Sequence, residues 1–579
     1  MNRLAVPALA TLRLPGGKPP DPMAWNPRWL KAPFLRHGAL AAVGRLLSRH
    51  RWFAAAAAGG LVLRVLTMLA FPPAIWFGGD SASYLSTALR LVPGTSRLSG
   101  YGLLLLVLRP FHSFALVTAV QHLMGLAIGI LTYALLRRYG LPGWGATLAA
   151  LPVLFSAYQV QLEQEILPSA AFCCLIMTAA GIGLWWRDRR TPQATAAAAG
   201  LLAVGACFWP VGLPLLAVFL AYLVLRRAGW QVLAATVATS VLPLAGYLAW
   251  FDHTYHRVAF SNSDGIYLWS RTMSFANCAV IEPPPDEAAL CPPRGSGPRA
   301  AASTYIWAPE SPLDRVPGKK FSAGKNSLAM KFALRAIAAQ PLGYLAAVLH
   351  DITLAFGWNI PAHPSALMTR RYEFGYATDP WISPGAVLVH GHTVAADQLA
   401  YGGTVRTRAV QPFAGWLVSY QRAVYLRGTL LAAVLAIGLG GIARRCRGTW
   451  RRNGGEWGGP GLYPWLAAVT VLVVPVLTAD YSQRYVLIAV PLACLAAGLA
   501  FARPPAGAQV SATGQADPVA AGVGDQQVAR AIDRHPARAA EPGPGGSPAV
   551  SIPVRRAGPA RSCKRVMIMV FGCPSDQTP

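Results

Sequence analysis

The chain has 579 residues, of which 54% are apolar and only 13% charged, with 18 Trp and several separate long apolar runs. That balance excludes a string of soluble domains and marks a polytopic membrane protein. The net charge of +28 would suit nucleic acid in a soluble protein, but here the Lys/Arg clusters sit at the ends of apolar runs and no basic–aromatic interleaving accompanies them, which excludes nucleic acid as a partner.

The first 51 residues carry nine Lys/Arg and one Asp, so residues 1–51 read as a basic cytoplasmic segment. The apolar run at about 53–72 is long enough to span a bilayer as a helix of ~20 residues and serves as the insertion signal. It carries the chain outward to Phe77-Gly78-Gly79-Asp80-Ser81, beside Tyr84. An acidic group just past a membrane exit needs water, a cation or a substrate; the plainer reading has Asp80 capping a helix over 82–90. Residues 98–112 form a run too short to span and read as an interfacial helix or the start of a longer one. Placing each basic cluster inside then gives spans at about 114–136, 143–158, 166–186, 193–207, 211–225 and 232–250, followed by a polar region over 251–425 and spans at about 426–443, 462–479 and 485–502. The expected fold is therefore an all-α polytopic membrane protein of about ten transmembrane helices. Residues 52–250 and 426–502 form the membrane domain, with a first external loop at 73–112. The tail 503–579, rich in Ala, Gly, Pro and Arg, is expected to be a disordered cytoplasmic segment.

The region 251–425 carries fifteen Lys/Arg and eleven Asp/Glu and reads as a globular external loop domain. Residues 343–357 are apolar enough for a span, but His350-Asp351 in their middle argues against one, and 325–357 reads instead as amphipathic helices with Pro341 at a helix start. Cys278 and Cys291, thirteen residues apart in this region, suit a disulfide if the loop faces an oxidising compartment. Arg64, mid-span, is expected to pack, to pair within the bundle or to reach a lipid phosphate.

On this topology the external ends hold Asp80, the pair Glu163/Glu165, the loop domain, and Asp480 with Arg484-Tyr485. Carboxylates and an arginine at the water–lipid boundary suit glycosyl transfer from a lipid-linked donor to an acceptor in water. Such a reaction needs a base for the acceptor hydroxyl and a cation for the departing phosphate, which the planar fork of Arg fits in pairs. Glu163 and Glu165 can equally be solvated charges near a helix start, Arg484 a surface anchor, and Lys325 either a phosphate ligand or a solvated surface residue.

The chain resembles the C-type (GT-C) integral-membrane glycosyltransferases that use polyprenyl-phosphate sugars, such as protein O-mannosyltransferases and aminoarabinose transferases. The resemblance is carried by Gly79-Asp80-Ser81 with Tyr84, Leu98-Ser99-Gly100-Tyr101-Gly102, Gln121 with Gly125, Leu162-Glu163-Gln164-Glu165 running on to Phe172, and Tyr481-Ser482-Gln483-Arg484-Tyr485 running on to Pro491. It spans roughly residues 50 to 500 and implies an inverting transfer with Asp80 as base and Arg484 on the lipid phosphate. It also implies that Glu163 or Glu165 binds a metal or orients the acceptor, that mannose is the commonest sugar, and that a divalent cofactor, Mg or Mn, is in question because a single Asp stands where some members have paired acids. The implied partners are the bilayer, a polyprenyl-phosphate sugar and a hydroxyl-bearing acceptor (protein, glycan or small natural product). The rival is a transporter or flippase of a lipid-linked or amphipathic solute, which would usually show an internal repeat. Composition fits a GC-rich bacterial genome and hence the plasma membrane, with both termini cytoplasmic.

Overall fold

The structure is a computed structural model that describes residues 48–185, 191–292, 299–376, 391–403, 406–451 and 458–502. The chain divides into two units, Met1–Ala508 and Gln509–Pro579, and all the described elements belong to the first. The expectations for the basic segment 1–47, the cluster Arg187–Arg190 and the tail 503–579 lie outside the described residues.

Among the described residues every regular element is helical, and one isolated parallel bridge joins Ile75 to Glu165. The longer helices are α1 (Arg51–Ala70), α2 (Gly78–Arg90), α3 (Gly100–Leu108), α4 (Phe114–Arg138), α5 (Gly143–Phe155), α6 (Ala157–Gln164), α7 (Ser169–Trp185), α8 (Pro192–Phe208), α9 (Gly212–Leu225), α10 (Trp230–Tyr255), α11 (Asp264–Thr272), α12 (Ala323–Ala339), α13 (Pro341–Leu354), α14 (Val394–Gly402), α15 (Phe413–Ala423), α16 (Gly428–Arg451), α17 (Leu462–Thr478) and α18 (Gln483–Ala500).

The count of about ten spans is not supported. Five helices are long and apolar enough to cross a membrane: α1, α4, α10, the stretch Gly428–Arg447 of α16, and α18. Counting two bent pairs as single spans, α5 with α6 (48°) and α12 with α13 (101°), brings the number to seven. The other expected spans fall short for a physical reason. Helices α7, α8 and α17 have 17 residues each and α9 has 14, below the ~20 needed to cross the hydrocarbon core untilted. The pair α12/α13 turns at Pro341, which occupies the start of α13 where its missing N–H costs nothing.

Helix α18 is the hub. It packs against α4, α5, α7, α16 and α17, and nearly all of it beyond the first turn is buried. Its small residues make that possible, because close backbone approach is what binds helices in lipid. A Cβ on Gly441 of α16 would collide with Ala500, and one on Gly498 with Leu136 of α4. A separate apolar cluster around Ile266, Trp269 and Phe332 joins α11 to α12, and Cys278 and Cys291 are disulfide-bonded beside it.

Candidate active site

The chain leaving α1 is stitched to the turn after α6. Ile75 N donates to Gln164 O (2.9 Å), Ile166 N donates to Ile75 O (3.1 Å), and Gln164 Nε2 donates to Phe71 O (2.9 Å). The Ser81 hydroxyl accepts from Phe77 N and donates to Ile166 O. Gly78 turns the chain into α2 at φ 51°, in the left-handed region that glycine enters without strain. Because α2 starts at Gly78 rather than at 82, Asp80 lies inside the first turn and is not a cap. Its oxygens are turned elsewhere.

Asp80 Oδ2 accepts from Arg484 Nη1 at 3.3 Å, while Oδ1 accepts from Arg97 Nε at 2.9 Å and lies 2.8 Å from Arg97 Nη2 in the same ion pair. Burial alone would raise its pKa, but the two guanidiniums outweigh it and hold the carboxyl below its ordinary value. Arg484, in the first turn of α18, has its guanidinium carbon 5.0 Å from the Phe77 ring centre, 5.4 Å from Trp209 and 5.9 Å from Tyr372. Its Nε is buried and lacks an acceptor, so the caged cation keeps an unused donor. The Tyr485 hydroxyl accepts from Trp209 Nε1 at 3.0 Å. Tyr84 is buried four residues after Asp80 and stands edge-on to Tyr101 at 5.2 Å.

The two glutamates part company. Glu163 is wholly buried in the bundle, where Arg64 donates from Nε to Oε2 (2.8 Å) and from Nη2 to Oε1 (2.9 Å), and His122 Nδ1 lies 3.0 Å from Oε2. Both oxygens are thus engaged away from Asp80, and the mid-span charge of Arg64 finds its partner there. A Cβ on Gly125 would fall on the Glu163 carboxylate, so glycine at that position makes room for the pair. Removing one member of such a pair strands the other, and Arg64→Ala should cost about 3–5 kcal/mol of stability, read as a lowered midpoint of thermal unfolding in detergent.

Glu165 lies just beyond α6, where the backbone turns extended (φ −86°, ψ 146°). It is also fully buried, accepts from Gln161 Nε2 at 2.6 Å through Oε1, and has no partner on Oε2. Burial pushes its carboxyl up to about 8, within electrostatic reach of Arg484, Asp80 and Arg371. Gln121 fixes this turn, donating to Glu163 O (2.9 Å) and Glu165 O (2.7 Å) and accepting from Tyr101 (2.7 Å).

Lys325 is not brought to this site. It is buried in the α11/α12 cluster and its Nζ donates to Leu313 O at 3.0 Å. Conversely, Arg97, Arg371, Tyr372 and Trp209 gather with Phe77 at Asp80 and Arg484, although no motif in the sequence marks those four. Arg97 stands in the Pro- and Ser-containing break between α2 and α3, and Arg371-Tyr372 in the basic–aromatic run 370–372; neither pattern distinguishes a site residue from surface.

Two features adjoin. An open cleft of about 450 Å³, solvent-open space included, has walls of Leu435, Leu472, Val473, Val476 and Val486 and is also lined by Asp351, Tyr481 and Tyr485. Asp351, His363 and Asp480 offer ligand atoms within 4.8 Å of one another. Two carboxylates and an imidazole suit a divalent cation, yet each is already engaged: His363 Nε2 with Asp480 Oδ1 (2.6 Å), Asp480 Oδ2 with Ser303 N (2.8 Å), and Asp351 with Arg271 and His350. Burial would lower the His363 pKa, but Asp480 outweighs it and favours the imidazolium. A cation would have to displace that proton.

No family model matches the sequence, and no curated protein matches it. Among solved structures the chain is similar to the oligosaccharyltransferase of Archaeoglobus fulgidus. The apo crystal structure aligns at 12% identity and a TM-score of 0.36, covering 78% of this chain and 50% of that one. The crystal structure tethered to an acceptor peptide containing the NVT sequon gives 11%, 0.36, 78% and 49%. The AglB complex with an inhibitory peptide and a dolichol-phosphate gives 12%, 0.35, 78% and 50%. The chain thus spans about half the length of these structures, and at these TM-scores the likeness decides nothing about its activity.

Proposed function

We propose that the protein is a GT-C-type membrane glycosyltransferase that moves a sugar from a polyprenyl-phosphate donor to an acceptor hydroxyl at the outer face of the membrane, with inversion. The observation that carries this reading is the contact between Asp80 and Arg484, a carboxylate and a partly unsatisfied guanidinium held together beside an apolar cleft. The lipid chain lies along the cleft and the phosphate takes Arg484, whose Nε has no other acceptor. The acceptor hydroxyl gives its proton to Asp80 as its oxygen bonds to the anomeric carbon. The bond from that carbon to the phosphate oxygen breaks on the opposite face, and the departing phosphate keeps the electron pair against Arg484. Tyr84 and Tyr485 shape the walls around the reacting groups. Glu165, neutral below about pH 8, can donate a hydrogen bond to the sugar or acceptor from its unpartnered oxygen.

Mannose is the sugar the family resemblance favours, and the acceptor is a protein, a glycan or a small natural product. If a divalent ion such as Mg or Mn takes part, Asp351, His363 and Asp480 are the residues that would hold it. That ion would add charge for the leaving phosphate. On that basis, a chelator should lower transfer and Mn restore it in wild type, whereas His363→Ala should be insensitive to both. An equal response of wild type and variant would remove these three residues from the role. With the basic clusters inside, the site faces outward from the plasma membrane of a bacterium and both termini are cytoplasmic.

One observation favours the transporter reading. The buried set Arg64, Glu163 and His122 lies among membrane helices, where ionisable groups often serve ion or proton pathways. Its carboxylate oxygens are fully engaged, however, which suits a structural pair better. Incubating membranes that hold the wild-type chain with a panel of labelled polyprenyl-phosphate sugars separates the two: label in a new glycoside supports transfer, whereas label accumulating unchanged inside vesicles supports transport.

A further inference from the structure

The two oxygens of Asp80 are held by different parts of the molecule. Arg484 reaches Oδ2 from the first turn of α18, the helix at the centre of the bundle. Arg97 takes Oδ1 alone, through Nε and Nη2 at 2.9 and 2.8 Å. Its remaining Nη1 donates to the Tyr267 hydroxyl on α11, and its guanidinium carbon lies 5.5 Å from the Tyr267 ring centre and 5.3 Å from that of Trp307. Tyr267 stands next to buried Ile266 and two residues from Trp269, whose indole donates to Leu290 O beside the Cys278–Cys291 disulfide. Arg97 is thus tied at one end to the proposed base and at the other to the packed α11/α12 cluster.

Each carboxylate oxygen has two lone pairs: Arg97 makes two short contacts to Oδ1, whereas Oδ2 meets Arg484 at 3.3 Å and keeps a lone pair for an incoming proton. On the reading proposed above, the donor phosphate takes the free Nε of Arg484, whose Nη1 is the group at Oδ2. Oδ1 stays occupied, because Arg97 has its own anchors and gains nothing by leaving.

We infer that Arg97 is the positioning residue of the base: it holds Asp80 by Oδ1 from the α11/α12 cluster, so that Oδ2, with its free lone pair, is the oxygen that takes the proton. This rests on Asp80 being the base. The arrangement fixes which lone pair reacts, since an Asp80 free to rotate would offer either oxygen.

The charged and titratable groups facing Asp80 are Arg97, Arg484, Arg371, Glu165, Tyr84, Tyr372 and Tyr485. Glu165 is pushed up to about 8 while Asp80 is held below its ordinary value, so the acid side of the profile reports Asp80. A base must be ionised, so turnover falls as pH drops through its pKa. Arginines beside it lower that value, and taking Arg97 away raises it. The acid limb of the rate profile should therefore move to higher pH.

The test uses the full chain reconstituted in vesicles, with kcat/KM for a labelled polyprenyl-phosphate sugar followed across the acidic range in wild type, Arg97→Gln, Arg97→Lys and Tyr267→Phe. The expected result is an acid limb raised by about one pH unit in Arg97→Gln, a smaller rise in Tyr267→Phe, and near-wild-type placement in Arg97→Lys, with KM for the donor unchanged throughout. Tyr267→Phe deletes one hydroxyl and keeps the ring, so it reports even if Arg97→Gln fails to fold. An unmoved limb in folded Arg97→Gln or Tyr267→Phe overturns the inference, and so does a raised donor KM with an unmoved limb, which would make Arg97 a phosphate ligand. Wild-type turnover in Asp80→Asn would instead remove the base itself. A dead Asp80→Asn beside an unmoved limb removes only the role of Arg97.

Discussion

If Asp80 is the base, Asp80→Asn should lower transfer by at least about 10²-fold, the lower end of what a positioned base contributes, while the protein accumulates to wild-type levels. The substitution is nearly isosteric, and the side chain sits at the end of a polar network rather than in the apolar core. The amide can still accept a hydrogen bond from Arg97 through its oxygen, so the turn keeps much of its geometry. What is lost is the ability to take a proton as the acceptor oxygen attacks. Initial rates at matched protein levels, with thermal unfolding as the control for folding, check this. Turnover close to wild type in a folded Asp80→Asn protein would falsify the assignment of the base.

Arg484→Ala carries the second large effect. A single preorganised donor to developing negative charge is worth roughly 2.7–4 kcal/mol, or about 10²–10³ in rate. Here the cation is held by three aromatic faces and by Asp80, so it needs little rearrangement to meet the phosphate. The expected signature is a fall in kcat accompanied by a rise in KM for the donor, because the same group binds the phosphate in the ground state. Arg484→Lys should recover little of either, since an ammonium neither stacks as a plane between rings nor presents paired donors to phosphate oxygens. A variant that loses donor binding but keeps kcat would leave Arg484 as an anchor without a part in the chemistry.

The meeting of Asp80 with Arg484 was legible because the order of apolar runs constrains which loops can come together. A carboxylate soon after one exit and an arginine at the start of another span must meet at the same face once the basic clusters are set inside, and Asp80 and Arg484 do lie 3.3 Å apart. The pairing of Cys278 with Cys291 was legible for a similar reason, both lying in one polar loop at short spacing. Glu163 and Glu165 were not separable in the sequence. They stand two residues apart, but the last residue of α6 falls between them, so one side chain turns into the bundle toward Arg64 and the other toward Arg484. Only a partner 99 residues upstream distinguishes them. Lys325 read as a phosphate ligand or a surface cation, and its fate depends on a carbonyl at Leu313 that no periodicity announces. Arg97, Tyr372 and His363 escaped notice because their roles come from contacts across the fold, and no local spacing carries that information. The span count failed on length. Basic clusters at the ends of apolar runs mark which side a run ends on, not whether helices of 14 to 17 residues cross a bilayer on their own.

If a sugar leaves a lipid phosphate held by Arg484 for an acceptor activated by Asp80, donor cleavage and acceptor glycosylation must rise and fall together. Label transfer from a purified polyprenyl-phosphate sugar checks this in vesicles holding wild type, Asp80→Asn or Arg484→Ala, scored for both glycosylated acceptor and free polyprenyl phosphate. Wild type should yield the two products in equal amounts, Asp80→Asn neither, and Arg484→Ala both at about 10²–10³-fold lower rate. Free polyprenyl phosphate forming equally in all three, or labelled donor crossing the vesicle membrane intact with none cleaved, would overturn the assignment of a glycosyltransferase site to Asp80 and Arg484.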